Sequence, residues 1–341
     1  MKANARRRLG SSDVHVSALG LGGAALGNLY APVDEEAARA TVRRALERGV
    51  AYFDTAPYYG YGLSEERLGR ALVGTARGAF TISTKVGRRL VPRSGPARSD
   101  QGFVRARAFD PVFDYSYDGV LRSFESSLER LQLDRVDILL VHDLGAMTHG
   151  DERHREVFDL AMEGGYRALS ALRDSGVVGA VGLGVNESQV CVEALERADF
   201  DCFLLAGRYT LLEQGALDRL LPLCEKRRVS IIVGGPFNSG ILVEGEAGAR
   251  HYDYATADAE ILDRVRRIGR LCEAYDVPLP AAALQFPLLH PAVAAVIPGA
   301  RTPVEIEANA AWLEIEIPRA LYRDLQGAGL LRPDAPIGAA G

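Results

Sequence analysis

Four side chains in the first half of the chain are of types that can act together on a carbonyl: Asp54, Tyr59, Lys85 and His142. Each lies at or just past the end of a short apolar run. Ala51-Tyr-Phe-Asp54 leads into Tyr59, Phe80-Thr-Ile-Ser-Thr-Lys85 ends on the lysine, and Val136-Asp-Ile-Leu-Leu-Val-His142 ends on the histidine. A free tyrosine titrates near pH ~10 and is a poor base at neutrality. A neighbouring ammonium lowers that value, and Lys85 is the group of the right type to do so. A buried lysine must in turn be kept charged, which pairing with Asp54 would achieve. His142 can hydrogen-bond a substrate oxygen or the phenol. Tyr59 then takes a proton from a hydroxyl or gives one to a carbonyl. None of the four can accept a hydride, so the chemistry requires a cofactor. Singly, each residue has a plainer reading: Asp54 and Lys85 a structural ion pair, His142 a core histidine, Tyr59 a packing residue beside Tyr58 and Tyr61. Together, at strand ends, they point to one cleft.

The cleft exists only if the strands are parallel neighbours. β-like runs over 18–22, 51–54, 80–85, 136–141, 180–183, 202–205, 230–233 and 293–297 alternate with amphipathic runs over 34–48, 64–72, 117–131, 151–174, 187–197, 213–227, 258–275 and 303–312. Asp34 suits an N-cap, with Glu35 and Glu36 in the first turn, and Gly49 suits a stop. Pro303 suits a first helical position. Eight such units predict a (β/α)8 barrel, the TIM-barrel class. The chain of 341 residues exceeds the ~250 of a typical barrel, so extra segments are expected. They are a β-hairpin over 3–17 and long loops after the third and seventh strands, over 88–116 and 235–257. Both loops would overhang the carboxyl face, where barrel sites form. We read 1–341 as one domain, with a mobile tail over 334–341.

Composition narrows the class. Apolar residues make up 48% and charged residues 25%, as in ordinary globular domains, and the net charge of −5 invites neither nucleic acid nor an anionic membrane. Arg6-Arg7-Arg8 is followed by no apolar stretch, so no signal peptide is expected, and no run approaches a membrane span. Cys191, Cys202, Cys224 and Cys272 form no C-x-x-C pair and no histidine clusters beside them. That predicts reduced, buried thiols in a cytoplasmic protein, with no metal. Gly20-Leu-Gly22-Gly-Ala-Ala25 fits the loose dinucleotide pattern G-x-G-x-x-[GA]. That pattern needs a helix starting at the glycines, whereas here the helix begins near Asp34. The glycines instead read as a strand end and open loop, where Gly22 and Gly23 let backbone approach a ligand. A Rossmann fold, with Asp54 ending its second strand, is the alternative.

Gly49-Val-Ala-Tyr-Phe-Asp54-Thr-Ala-Pro-Tyr-Tyr59-Gly60 resembles the signature of the aldo-keto reductase family, as does Ser64-Glu-Glu-Arg-Leu-Gly69. Ile82-Ser-Thr-Lys85-Val-Gly87 is similar to the family's lysine strand and Leu140-Val-His142-Asp143 to its histidine strand. The resemblance covers about the whole chain, through Asn309. It implies a barrel oxidoreductase using NAD or NADP, with Tyr59 as general acid/base, Lys85 and Asp54 tuning it and His142 orienting substrate. Val296-Ile-Pro-Gly299-Ala300-Arg301-Thr302-Pro-Val-Glu305-Ile-Glu-Ala-Asn309 resembles the family's adenosine-phosphate segment, and Asn186 a carboxamide contact. By the same resemblance Gly235, Pro236, Phe237, Asn238 and Gly240 follow the seventh strand on the cofactor side. The chain departs from the family at three places. Glu305 stands where many members carry a basic or amide side chain, which favours NAD over the 2′-phosphate of NADP. Gly234 stands where an aromatic often stacks on nicotinamide, leaving that role to Phe237 or Tyr209 or to none. Val185 and Ala206 replace a usual serine and glutamine.

Leu205-Ala-Gly-Arg208-Tyr209-Thr-Leu-Leu-Glu213, Gly235-Pro-Phe-Asn238-Ser-Gly240 and Thr148-His149-Gly150 are similar to one branch of the family. It includes dehydrogenases of L-fucose, D-arabinose and galactose, and a pyridoxal dehydrogenase. The branch implies hydride transfer from C1 of an aldose to NAD(P)+, giving a lactone. Tyr58, His149, Arg208 and Asn238 could line the sugar pocket, although each also has an ordinary loop explanation. The alternatives are a pyridoxal 4-dehydrogenase, a general aldehyde reductase, or a nucleotide-binding module without turnover, as in the family's ion-channel-associated subunits. The expected partner is a small sugar or aldehyde; an oligomer is left open.

Overall fold

The computed structural model describes residues 1–95, 102–244, 251–252 and 255–338. Eight strands form one sheet: β1 (Gly20–Gly22), β2 (Tyr52–Asp54), β3 (Thr81–Val86), β4 (Ile138–His142), β5 (Ala180–Val185), β6 (Cys202–Ala206), β7 (Ser230–Gly234) and β8 (Val293–Ile297). They run parallel in sequential order. Parallel bridges Leu19–Val296 and Gly22–Gly299 join the two ends, with Gly22 N–H donating to the Pro298 carbonyl at 3.0 Å. The predicted (β/α)8 barrel is therefore the fold.

Strand parity explains why the site assembles. Successive side chains of a strand point to opposite faces. Phe53, Ile82, Leu139 and Val141 face outward into the main core against the helices. Tyr52, Ile138 and Leu140 face inward, with Cys202, Leu204, Ile232 and Ala295. Asp54 and His142 stand two residues beyond Tyr52 and Leu140, so both point inward at the carboxyl end of the barrel. Lys85 shares their parity, being paired in register with Leu140. The amino end is plugged by the expected hairpin, in which Arg6–Arg8 pairs with His15–Ser17 and Leu9 and Val16 enter the inner core.

The helical layer follows its caps. Asp34, Ser116, Asp258 and Thr302 each accept a backbone N–H three residues on. The run over 151–174 is continuous but carries a π-helical turn, Ala161–Gly165, in its middle. The helix expected over 213–227 is shortened to Leu220–Arg227. The Gln214 amide ties down the Thr210 and Leu211 carbonyls and holds the preceding stretch as a loop. Helices Leu279–Gln285 and Arg319–Gly327 were not anticipated. The first is buried almost all round and shows no amphipathic stripe.

The extra segments are more ordered than loops. Within 88–116, Arg88–Pro92 pairs antiparallel with Phe109–Phe113, forming an arm beyond the barrel rim. The connection returns Phe103, which bridges Leu29 and packs on Tyr58, Tyr59 and Tyr61. Within 235–257, a short helix Ile241–Glu244 precedes a paired His251–Tyr252 and Ala255–Thr256. The tail expected to be mobile is anchored from 334 to 338: Ala335 is buried, Ile337 packs on the core, and Arg319 donates to the Ile337 carbonyl. Residues 339–341 lie outside the described residues. All four cysteines are buried and unpaired. Among the described residues no helix is long and apolar enough to cross a membrane.

β5 carries inward glycines at 182 and 184. A Cβ at Gly182 would collide with the Cys202 backbone carbonyl, which cannot swing away as a side chain could. Gly182→Ala is expected to destabilise the barrel by about 3 kcal/mol or more, in the range of severe core substitutions. Urea unfolding of the two proteins measures it, and a difference under ~0.5 kcal/mol would contradict this packing.

Candidate active site

Lys85 ends the inward row of β3 with 1% of its side chain exposed, beside Asp54 at 2%. An ammonium has three hydrogens and no acceptor, and here each finds an oxygen. Lys85 Nζ donates to Asp54 Oδ2 at 2.7 Å, to the Thr55 carbonyl at 2.9 Å and to Tyr59 Oη at 3.2 Å. Asp54 Oδ1 takes the Ser83 hydroxyl at 2.7 Å. Since Lys85 donates to the phenol oxygen, Tyr59's own proton points away from the lysine. Room for the lysine stem comes from β5, where a Cβ on Gly184 would sit 2.9 Å from Lys85 Cε.

Tyr59 is carried by the loop after β2. That loop lies directly on the backbone of residues 24–28, because Gly27 and Gly60 lack side chains. Gly60 has φ +64°, and a Cβ there would strike the Gly27 carbonyl. The following motif serves as a clamp. Ser64 donates to the Gly23 carbonyl at 2.7 Å, Arg67 holds the Leu26 carbonyl, and buried Glu65 takes Thr84 and Arg130 at 2.6 Å each. The tyrosine, lysine, aspartate and histidine are thus brought together as expected, with the His142 ring edge-on to Tyr59 at 5.8 Å.

Burial, then the Asp54 and Asp143 carboxylates, hold the Tyr59 phenol well above the ordinary tyrosine value, against the Arg88 guanidinium. The expected easing toward phenolate is reversed, because desolvation and two carboxylates outweigh the nearby positive charge. Tyr59 rests as an acid. His142 is held well below its ordinary value by burial, then by the Lys85 and Arg88 cations, so it rests neutral. Burial lifts Asp54, against Lys85 and Ser83, and lifts Asp143, against Arg88 and Lys85.

Sequence reasoning did not single out Arg88, Phe103 or the ion pair made by Arg88 with Asp143. Arg88 Nη2 lies 2.7 Å from Asp143 Oδ2, and its guanidinium sits over the rings of Tyr58 at 4.1 Å and Phe113 at 4.9 Å. The one available signal was position, and only for the pair: Arg88 lies just past β3 and Asp143 directly follows β4. Of the proposed substrate residues, Tyr58 borders the cleft, with its ring 6.1 Å from His142. His149 is tied to the Tyr115 hydroxyl at 3.0 Å and the Asp143 carbonyl at 3.1 Å. Arg208 braces the Asn186 carbonyl at 2.6 Å.

The residues assigned to a dinucleotide lie at or beyond the ends of β1, β2, β5, β6, β7 and β8. Gly22 and Gly23 have a structural duty as well. Cβ atoms there would press on the Ile297 and Asp54 carbonyls, and the next element is a short 3-10 turn, Ala25–Gly27. The long helix starts only at Glu35, which removes the Rossmann alternative. Asn186 Nδ2 donates to Asp143 Oδ1 at 3.3 Å. Tyr209 is a correction: it is fully buried against Phe286 and His290 in the outer core, so its ring cannot stack in the cleft. Phe237 is turned edge-on to Trp312 at 6.0 Å. Between Gly235 and Gly240, both with positive φ, Asn238 is buried, and its Oδ1 has no hydrogen-bond partner. That orphaned acceptor fits a ligand that brings a donor. After β8, Gly299 and buried Ala300 lead to Arg301, and Thr302 caps the helix Pro303–Glu314. Glu305 turns back and accepts the Arg301 N–H at 2.8 Å. Asn309 is buried on the same helix. A helix start with a nearby guanidinium suits phosphate, so the residues present fit a nicotinamide dinucleotide.

Comparison with known proteins gives the same direction. The model described as "Aldo/keto reductase family" matches residues 18–328. Pyridoxal 4-dehydrogenase of Microbacterium luteolum is 44% identical over 339 residues, covering 97% of this chain and 99% of that protein. D-threo-aldose 1-dehydrogenase of a Pseudomonas species is 39% identical over 326 residues, covering 94% and 96%. The holo form of an aldo-keto reductase from Bacillus halodurans superposes with a TM-score of 0.71 at 26% identity, covering 94% and 95%.

The two rest states set a pH dependence. A raised Tyr59 keeps its proton as pH climbs, and a lowered His142 stays neutral as pH falls. Single-turnover carbonyl reduction should therefore be flat from about pH 6.5, the ordinary histidine value, to about pH 9. A pH–rate profile checks this, and a descending limb centred near neutrality would contradict it.

Proposed function

Because the chain belongs to the aldo/keto reductase family, we propose that it is an NAD-dependent aldose 1-dehydrogenase, oxidising a sugar of the L-fucose or D-threo-aldose type at C1 to its lactone. The observation that carries this reading is the continuous set of contacts from Asp54 through Lys85 to the Tyr59 oxygen, below a neutral His142. An aldose closes on itself as a cyclic hemiacetal, and loss of hydride from its C1 with loss of the hydroxyl proton leaves a lactone. When bound, the nicotinamide cofactor takes that hydride, for which the four side chains have no acceptor. His142 orients the reacting oxygen. The hydroxyl proton passes to the Tyr59 oxygen once that oxygen has released its own proton to solvent, and Lys85 stabilises the phenolate at 3.2 Å. In the reverse direction Tyr59 gives its proton to the carbonyl, the role for which its rest state is set. Gly235–Gly240, Gly299–Thr302 and Asn309 would hold the dinucleotide, with Asn186 at its nicotinamide end.

Glu305 supports NAD. Its carboxylate already takes the Arg301 N–H at the start of the helix, where a 2′-phosphate would need the same donor and meet a like charge.

A second reading, pyridoxal 4-dehydrogenase, is favoured by the 44% identical relative and by the rings of Tyr58 and Phe103 beside the cleft. Pyridoxal also closes as a cyclic hemiacetal, through its neighbouring hydroxymethyl group, so the same proton transfer would serve.

NADH and NADPH formation across L-fucose, D-arabinose, L-galactose, D-galactose and pyridoxal tests the reading directly. Turnover of an aldose with NAD is expected. Turnover of none, with either cofactor, would leave the nucleotide-binding module as the better account. Tyr59→Phe should lower the rate on the accepted substrate by about 10³-fold while NADH still binds, as removal of a general acid/base does; near-wild-type turnover would refute the assignment. Glu305→Arg should shift the NAD:NADP ratio of kcat/KM toward NADP by tenfold or more, and an unchanged ratio would remove Glu305 from cofactor choice.

A further inference from the structure

Asp143 is buried at the mouth of the barrel and none of the steps above uses it. Its backbone is left-handed, φ +49°, a conformation costly for a side-chain-bearing residue unless the surroundings impose it. They do so here. Its N–H donates to the Gly184 carbonyl at 2.9 Å, and its own carbonyl takes the Tyr115 hydroxyl at 3.0 Å, with His149 Nε2 at 3.1 Å. So constrained, the carboxylate meets three side chains. Oδ2 lies 2.7 Å from Arg88 Nη2 and 3.5 Å from His142 Nε2, and Oδ1 accepts Asn186 Nδ2 at 3.3 Å.

We propose that Asp143 is a positioning residue that sets the hydrogen-bond polarity of the cleft. An ionised carboxylate only accepts, so whatever faces it must donate. Arg88 keeps it ionised. His142 is therefore held as the tautomer protonated on Nε2. The other ring nitrogen, Nδ1, is buried and has no hydrogen-bond partner, so nothing competes for the proton. At 3.5 Å the contact with the carboxylate is electrostatic and too long for a full hydrogen bond, so the Nε2–H stays available to an oxygen seated in the cleft. Asn186 is oriented by the same rule: its nitrogen faces Asp143 and its oxygen is left to accept from a carboxamide N–H. One carboxylate thus makes His142 a donor toward substrate and Asn186 an acceptor toward cofactor. This rests on the proposed roles of those two residues, but the tautomer itself does not depend on turnover.

The order of two substitutions separates polarity from packing. In Asp143→Asn, Arg88 keeps the amide oxygen on its own side, which also faces His142, and the amide nitrogen turns toward Asn186. Asn186 must then flip and offer a donor where an acceptor is needed. In Asp143→Ala, Asn186 can turn either way. NADH affinity should fall at least tenfold in the isosteric asparagine variant and less in the alanine variant. A packing role gives the opposite order. Asn186→Asp added to Asp143→Asn restores an outward acceptor and should recover part of that loss. ¹⁵N-histidine NMR of the ligand-free proteins at neutral pH, with His142 assigned by its loss in His142→Ala, reads the other half. Wild type and Asp143→Asn should show Nε2–H, and Asp143→Ala a mixture. An Nδ1–H tautomer in wild type, an unchanged tautomer in Asp143→Ala, or alanine weakening NADH more than asparagine would overturn the proposal. Should wild type bind no NADH, the proposed function fails while the wild-type tautomer still tests this inference.

Discussion

A buried ammonium governs the carboxyl end of this barrel. Lys85 is almost wholly removed from water, and a cation so placed is tolerated only when its charge is matched and each hydrogen is taken. The Asp54 carboxylate, the Thr55 carbonyl and the Tyr59 oxygen meet that demand from the end of β2 and the loop after it. The demand propagates outward. Gly184 must stay bare for the lysine stem, Gly27 and Gly60 must let the tyrosine loop lie on the neighbouring backbone, and Ser83 must hold the far oxygen of Asp54. Much of the family signature is explained as the means of satisfying one lysine.

A second buried ion pair stands beside the first. Arg88 and Asp143 come from the residues just past β3 and β4 and close over the rings of Tyr58 and Phe113. Each pair contributes one positive and one negative charge, so the local sum is near zero, and the Tyr59 phenol and the His142 imidazole both rest neutral between them. Neutral groups in a low-dielectric cleft hydrogen-bond a neutral substrate without first shedding a hydration shell.

The barrel was legible because short apolar runs alternate with amphipathic ones, and the inward face of its strand-borne residues because a strand repeats every two residues. Once Tyr52 and Leu140 are core, Asp54 and His142 must share their face. The decoy glycines were legible for a similar local reason, since no helix signal occurs before Asp34. Other features depend on contacts far apart in sequence. Arg88 meets Asp143 only because β3 and β4 are neighbours, and no pattern around either residue announces it. Tyr209 looks like a stacking ring until the Gln214 knot directs its chain into the outer core. The arm from Arg88 to Phe113 was taken for a loop, although Pro92 and Pro111 both sit within a two-stranded ribbon whose edges need fewer donors. The helix Leu279–Gln285, sealed on nearly every side, shows no stripe to detect.

The seam between β1 and β8 has a consequence for biosynthesis. β1 is the first barrel strand to leave the ribosome and β8 the last, yet each is the other's neighbour. For nearly the whole time of synthesis β1 therefore presents one edge with no partner, the condition under which strands recruit foreign ones. Its make-up limits that hazard: only three residues long, with glycine at both ends, it offers a foreign chain little to pair with or pack on. The glycines that let β1 pack closely against Ile297 in the finished barrel would thus also protect the nascent one while it waits to close.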